Sequence, residues 1–151
     1  MPVLCDFTVI TGASEILDEE FVIGRGPTEN VESRSLRLAF NTGGRRRGGG
    51  AVLMFSVKGL TRTHARPEVF VNGEKIGEIF DYTPGTEPQF PANTNHWYNQ
   101  VITFDAAILD GGDGRDNTLE ITSVPTLWRN QEDTREDFTL RNIICFFHQA
   151  A

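Results

Sequence analysis

The sequence is poor in several residue types, and each shortage excludes a class of protein. Its 151 residues include two cysteines, Cys5 and Cys145, too few for a small disulfide-rich scaffold. Its apolar runs are about ten residues or shorter, so no segment can cross a bilayer as a helix. Positive charge is also scarce, because 14 Lys and Arg stand against 21 Asp and Glu and leave a net charge of −7. A field of this sign repels nucleic acid, which we therefore do not expect as a partner.

The N-terminal segment also lacks the marks of a secretory signal. Residues 1–6 (MPVLCD) have no basic flank, no long apolar stretch and no small-residue cleavage site. We expect a cytoplasmic protein or one exported without such a signal, and the sequence does not choose between the two. In a reducing compartment Cys5 and Cys145 are small apolar groups, which we favour. In an oxidising one they link the first and last strands if these are neighbours.

Enough apolar residues are present to build one core. Leu, Ile, Val and Phe make up 27% of the chain, which argues against disorder. The length suits one domain of ordinary size, and neither an internal repeat nor an interdomain linker is visible. We predict a single domain over residues 1–151.

The apolar residues alternate with polar ones at a period of two, which is typical of strands. Asn72-Gly73 between two such segments is a strong hairpin signal, because both turn positions need a positive φ. Residues 14–20 suit one helical turn with Ser14 as its N-cap. The predicted strands are residues 3–9, 36–40, 51–58, 68–71, 75–79, 98–104, 118–122 and 138–147.

Eight short strands without helical crossovers predict an all-β fold, an antiparallel jelly-roll β-sandwich. If successive strands alternate in direction, their connections gather at two ends of the sandwich. Residues 11–33, 59–67, 80–96 and 124–137 then share one end, which we call the long-loop end. The short connections, including Asn72-Gly73, gather at the other.

Four segments carry a resemblance to a known fold. Residues 69–77 (VFVNGEKIG) resemble a hairpin of the galactose-binding-like β-sandwich, as in the sugar-binding domain of family two glycoside hydrolases and related carbohydrate-binding modules. Residues 102–105 (ITFD), 116–121 (DNTLEI) and 137–143 (DFTLRNI) continue the likeness as strands of the same fold. The resemblance implies the fold, and recognition of a sugar as its expected use.

Aromatic and planar polar residues are concentrated at the long-loop end. Sugar recognition needs a flat ring against the C–H face of a pyranose and amide or guanidinium groups for its hydroxyls. We therefore predict a lectin-like, non-catalytic carbohydrate-binding site there; the alternative is that these rings pack the rim of the sandwich. The predicted ligand-binding residues are Tyr82, Asn95, His96, Trp97, Trp128 and Arg129.

The acidic loop after the sixth predicted strand suggests a second, weaker hypothesis. Asp110, Asp113 and Asp116 stand in a glycine-rich stretch, and calcium prefers several oxygen ligands from such loops. Arg115 adds a repelling charge within it, and the spacing is not that of a helix–loop–helix site. We favour a solvated loop; structural calcium is the lesser alternative, and no other cofactor is expected.

Signatures of catalysis are missing from the sequence. No Gly-x-Ser-x-Gly elbow occurs, and the three histidines, His64, His96 and His148, are widely separated along the chain. We therefore expect a protein that is not an enzyme. The alternative function is structural: residues 143–147 (IICFF) place apolar side chains on both faces of the last strand. They need either intramolecular cover, which we favour, or a subunit contact, as in a homo-oligomer or a phage-like or contractile-injection particle.

Overall fold

The computed structural model describes residues 4–12, 18–24, 35–43, 48–60, 66–80, 96–109, 116–123 and 138–149, and no helix in these ranges could span a membrane. The elements are β1 (Leu4–Val9), β2 (Phe21–Ile23), β3 (Leu36–Phe40), β4 (Gly50–Lys58), β5 (Glu68–Val71), β6 (Glu74–Glu78), β7 (Tyr98–Asp105), a 3-10 turn (Ala106–Ile108), β8 (Asn117–Ile121) and β9 (Phe138–Gln149).

The strands form two antiparallel sheets. Sheet A has the order β1-β9-β4-β7, with β2 also paired to β9, and sheet B has the order β3-β8-β5-β6. If β2 is left out and the other eight strands are renumbered 1 to 8 in chain order, the two sheets have the strand orders 1-8-3-6 and 2-7-4-5. This is the jelly-roll arrangement, so the predicted fold class is confirmed.

The core lies between the sheets and follows from the alternation along each strand. On β4, Leu53, Phe55 and Val57 are fully buried, whereas Val52 and Met54 on the opposite side are only half-buried. Successive side chains of a strand point to opposite faces, so every second residue reaches the core. Sheet B adds a matching set: Leu38, Phe40, Val69, Val71, Leu119 and Ile121.

One strand was not predicted. β2 is three residues long, too short to show a period, and it pairs with the first residues of β9. β1 pairs with the last residues of the same strand, so β1 and β2 lie end to end along one edge of β9. The end of β1 and the start of β2 therefore both lie near the middle of β9. The helical turn predicted for residues 14–20 falls largely outside the described ranges, and Asp18–Glu20 are not helical.

A β-bulge in β9 decides which of its apolar residues face the core. Asn142 has a φ of +54°, and it and Ile143 together oppose Phe55 of β4. Before the bulge, Phe138 and Leu140 are the buried residues of β9. After it, the buried residues are Ile143, Cys145 and Phe147.

The outer face of sheet A consequently carries apolar side chains. The rings of Phe7 and Phe146 lie 6.1 Å apart on it, across neighbouring strands. Phe7 is 58% exposed and Val101, on the far strand β7, is 54% exposed. On β9 itself Ile144 and Phe146 are half-buried, so the exposed apolar surface of this face lies on the side strands.

The predicted Asn72-Gly73 hairpin is confirmed, and its turn also fastens the neighbouring strand. Asn72 and Gly73 have φ values of +52° and +82°. The Asn72 side chain donates to the backbone oxygen of Ile108 at 2.9 Å and to Oδ1 of Asn117 at 2.8 Å. Its own Oδ1 accepts a hydrogen bond from the backbone N–H of Thr118 at 2.8 Å. The start of β8 is thus held against the β5–β6 turn.

The cysteines lie on neighbouring strands but out of register. Cys5 pairs across the ladder with His148, whereas Cys145 pairs with Thr8. Three residues along a strand span about 10 Å, which exceeds the reach of a disulfide. Both thiols are free, with Cys5 exposed and Cys145 buried, so the disulfide alternative is wrong.

Candidate functional site

The long-loop end of sheet A brings one aromatic ring and two cations together. Trp97 immediately precedes β7, Lys58 ends β4, and Arg141 belongs to β9. Because the sheet order is β9-β4-β7, Arg141 and Trp97 lie on opposite sides of β4. By the alternation of side chains, all three lie on the outer face.

The Trp97 ring contacts both cations. Cζ of Arg141 lies 3.8 Å from its centroid and Nζ of Lys58 lies 4.8 Å from it, both within the range of cation–π attraction. A ring that begins at β7 and reaches Arg141 on β9 must lie across β4. Ser56 stands between them on β4; although on the outer face, it is buried, and its hydroxyl donates to Oδ1 of Asn99 at 2.8 Å.

The positive charge of this cluster is incompletely neutralised by the described residues. Nη1 of Arg141 lies 3.9 Å from Oε1 of Glu20, at the limit of an ion pair. Nε of Arg141 is buried without a hydrogen-bond acceptor among the described residues. Lys58 has no described carboxylate within 4.0 Å, in contrast to Lys75, which lies near both Glu68 and Glu78. Among the described residues, the cluster is a locally positive region on a protein of net charge −7.

A second cation–aromatic contact lies at the same end. Cζ of Arg66 is 4.4 Å from the centroid of the Phe80 ring. The backbone oxygen of Phe80 accepts a hydrogen bond from the Tyr98 hydroxyl at 2.6 Å, and the backbone N–H of Phe80 donates to Oε1 of Gln100 at 3.1 Å. Tyr98 also packs against the core, so this ring does belong to the rim of the sandwich.

Two of the predicted ligand-binding residues fall within the described ranges. Trp97 is half-buried in the cluster, and His96 beside it is exposed. Tyr82, Asn95, Trp128 and Arg129 lie outside the described residues.

Sequence reasoning did not select Lys58 and Arg141. Their positions on the outer face follow from the alternation of their strands. Their closeness to Trp97 depends on the order β9-β4-β7, which local patterns do not encode.

The acidic loop offers little for a metal in the described part of the chain. Asp116 is exposed, and Asp110 and Asp113 fall outside the described residues. Among the described side chains, no three His, Cys, Asp or Glu residues lie close enough to bind a metal ion together. Calcium at this loop stays a sequence-based prediction.

Comparisons with known proteins agree with the architecture. No family model matches the chain, and no curated protein does. The crystal structure of wild-type BuGH86 in complex with neoagarooctaose matches with a TM-score of 0.51 and 13% identity, over 97% of this chain. A family 35 carbohydrate-binding module from Clostridium thermocellum matches with a TM-score of 0.46 and 17% identity, over 94% of this chain and 98% of that one.

The likeness to BuGH86, at 13% identity, shows the fold alone. The chain spans 19% of the length of BuGH86. The all-β architecture with two antiparallel sheets is that of a galactose-binding-like sandwich, so the resemblance noted in the sequence is confirmed for the fold.

Proposed function

We propose that this chain is a non-catalytic carbohydrate-binding module whose ligand site lies at the long-loop end. The observation that carries the proposal is the packing of Trp97 against Arg141 and Lys58 where β4, β7 and β9 meet. The fold, which is shared with part of a protein that was crystallised with neoagarooctaose, supports it.

The chemistry of the cluster suits a saccharide. The indole of Trp97 provides apolar surface for sugar C–H groups, and a guanidinium provides several donors in one plane for hydroxyl or carboxylate oxygens. Rigid strands position Trp97 and Arg141, so little conformational entropy is lost when a ligand binds. We assign Tyr82, Asn95, His96, Trp128 and Arg129, which the sequence predicts as ligand-binding residues, to the same proposed site, and no catalytic step is assigned to the chain.

Glycan-array screening followed by isothermal titration tests this function. We expect at least one oligosaccharide to bind, and Trp97→Ala to weaken its affinity about tenfold or more, since a buried aromatic contact is worth at least 1.4 kcal/mol in such sites. Arg37→Met serves as the control, because Arg37 pairs with Glu120 on sheet B, away from the site. The absence of binding to every glycan, with the fold intact by circular dichroism, contradicts the proposal.

The open outer face of sheet A favours a second candidate function, self-association. Phe7, Val22 and Val101 expose apolar side chains on this face. Lys58 and Asp105 lie at opposite ends of the same face, so two copies packed with antiparallel strands bring opposite charges together.

Light scattering tests the second candidate. A dimer that Val101→Lys converts to a monomer supports it, because a charge at position 101 cannot be buried cheaply in the contact. A wild-type monomer at all concentrations, or a dimer indifferent to the change, eliminates this surface as the interface.

A further inference from the structure

The cations around Trp97 also bear on the class of ligand, provided that the carbohydrate-binding function proposed above holds. A neutral pyranose is usually held by a ring whose face is free to stack against it. Here the described contacts of the Trp97 ring are Arg141 at 3.8 Å and Lys58 at 4.8 Å. The ring therefore fixes the positions of two positive charges and offers less open surface for stacking.

The two charges are placed as a pair. Arg141 and Lys58 stand on the adjacent strands β9 and β4 and contact the same ring. Both cations lie within 4.8 Å of the centroid of this ring, and Glu20, at 3.9 Å from Arg141, is the nearest described carboxylate. The chain carries a net charge of −7, so this local excess of cations differs from its general surface.

Their donors match an oxyanion. The guanidinium of Arg141 presents N–H groups in a plane that suits carboxylate and sulfate oxygens, and its side chain is 36% exposed. The Lys58 ammonium adds three donors, with no described carboxylate within 4.0 Å to occupy them. Both side chains keep some exposure, so a ligand can reach them.

We propose that the site beside Trp97 binds an acidic saccharide, whose anionic group is bound by the Arg141 guanidinium and the Lys58 ammonium. The shared chemistry is an oxyanion on a sugar ring, either the carboxylate of a uronic acid or a sulfate ester. The ring of Trp97 holds both cations in place, and the apolar edge of the indole contacts the sugar beside its charged substituent.

Matched pairs of probes test this ligand class by isothermal titration. One pair is an oligogalacturonate and its methyl ester, which lacks the charge; the other is a carrageenan oligosaccharide and its desulfated form. We expect at least one acidic member to bind about tenfold or more tightly than its neutral partner, and the pair that shows this preference identifies the oxyanion. This preference should weaken as salt rises from about 0.05 M to 0.5 M, as expected for a charge interaction.

Substitutions of Lys58 and Arg141 test whether these two cations cause the preference for the acidic probe. We expect Lys58→Met and Arg141→Met each to reduce affinity for the acidic probe about tenfold and to leave affinity for its neutral partner within about twofold. Arg141→Lys keeps the charge but loses the planar donors, so it should recover only part of the affinity. Lys75→Met is the matched control, because Lys75 lies on sheet B beside Glu68 and Glu78, and it should leave both affinities unchanged.

The outcomes separate this inference from the function on which it rests. Binding of neutral and acidic probes with equal affinity overturns the ligand class and leaves the carbohydrate-binding function standing. An equal loss from Lys75→Met overturns the site, because the effect is then one of overall charge. Binding to no saccharide in these pairs or on the array overturns both. Lys58 is the last residue of β4, so thermal melting of Lys58→Met checks that this variant is folded.

Discussion

The guanidinium carbon of Arg141 lies 3.8 Å from the centre of the Trp97 ring, although the two residues belong to opposite sides of β4. A side chain at the start of β7 thus reaches across a strand to one on β9. This contact ties three strands together on the outer face of sheet A, outside the core, and places an aromatic ring and a planar cation at the end where the long connections meet.

Removing the cation from this contact should be visible in the fluorescence of Trp97. In a Trp128→Phe background, where Trp97 is the remaining tryptophan, Arg141→Met should shift the emission maximum and lower the unfolding free energy by about 1 kcal/mol, a typical cation–π contribution. Urea unfolding followed by fluorescence measures both. Arg37→Met, which removes the exposed ion pair with Glu120, should leave the emission unchanged. Identical spectra for both variants contradict the contact.

The turn at Asn72 combines an unusual backbone conformation with side-chain hydrogen bonds, and two substitutions separate these contributions. Asn72→Gly tolerates the φ of +52° but loses the bonds to Ile108, Asn117 and Thr118, so we expect a loss of about 1–2 kcal/mol. Asn72→Ala loses the bonds and adds strain at positive φ, so its loss should exceed that of Asn72→Gly by about 1 kcal/mol. Chemical denaturation of both variants measures the difference. Equal losses argue that strain at this turn contributes nothing.

The two thiols should react differently with a thiol reagent. Cys5 is exposed, whereas Cys145 is buried and its burial raises the pKa of its thiol to about 12. The thiolate is the reactive species, so the native protein should react at one site and the denatured protein at two. Titration with Ellman's reagent, with Cys5→Ser as the control, counts these sites. A native Cys5→Ser protein that reacts rapidly contradicts the burial of Cys145.

The raised pKa of Cys145 also predicts a stability change at alkaline pH. In the unfolded chain this thiol titrates near 9.0, whereas burial raises its pKa in the folded protein to about 12. Between these values unfolding releases a proton, so the stability should fall as pH rises above about 9, by up to about 1.4 kcal/mol per pH unit. Urea unfolding of wild type and Cys145→Ala from neutral pH to about pH 10.5 measures it. The variant is expected to be less stable at neutral pH and to lose less on alkalinisation; parallel curves refute the assignment.

Local pattern was sufficient for eight of the nine strands, because apolar and polar residues alternate along them or they flank the Asn72-Gly73 turn; alternate burial against the core is clearest on β3, β4 and β8. Leu53, Phe55 and Val57 show this on β4. It was insufficient for Phe21–Ile23, whose three residues are held by pairing with β9 and not by a pattern of their own. The bulge at Asn142 was equally hidden, since it depends on the partner strand opposite Phe55.

The residues of the candidate site likewise divide into one that the sequence identifies and two that it does not. Trp97 is identifiable from the sequence as an aromatic residue at the start of a strand among polar neighbours, and the alternation of strand directions assigns it to the long-loop end. Arg141 and Lys58 could not be connected with it, because they are separated from Trp97 by tens of residues along the chain. Only the pairing of β9 and β7 with β4 makes the three neighbours.

By itself, then, the amino-acid sequence determined the extended segments, the Asn72-Gly73 turn and the all-β class, since these depend on alternation and on backbone preferences within a few residues. Tertiary structure decided which strands are adjacent, that Cys5 and Cys145 are out of register, and that Trp97 meets two cations. The physical reason is that register and strand order arise from burying all faces at once, a condition that no single segment contains.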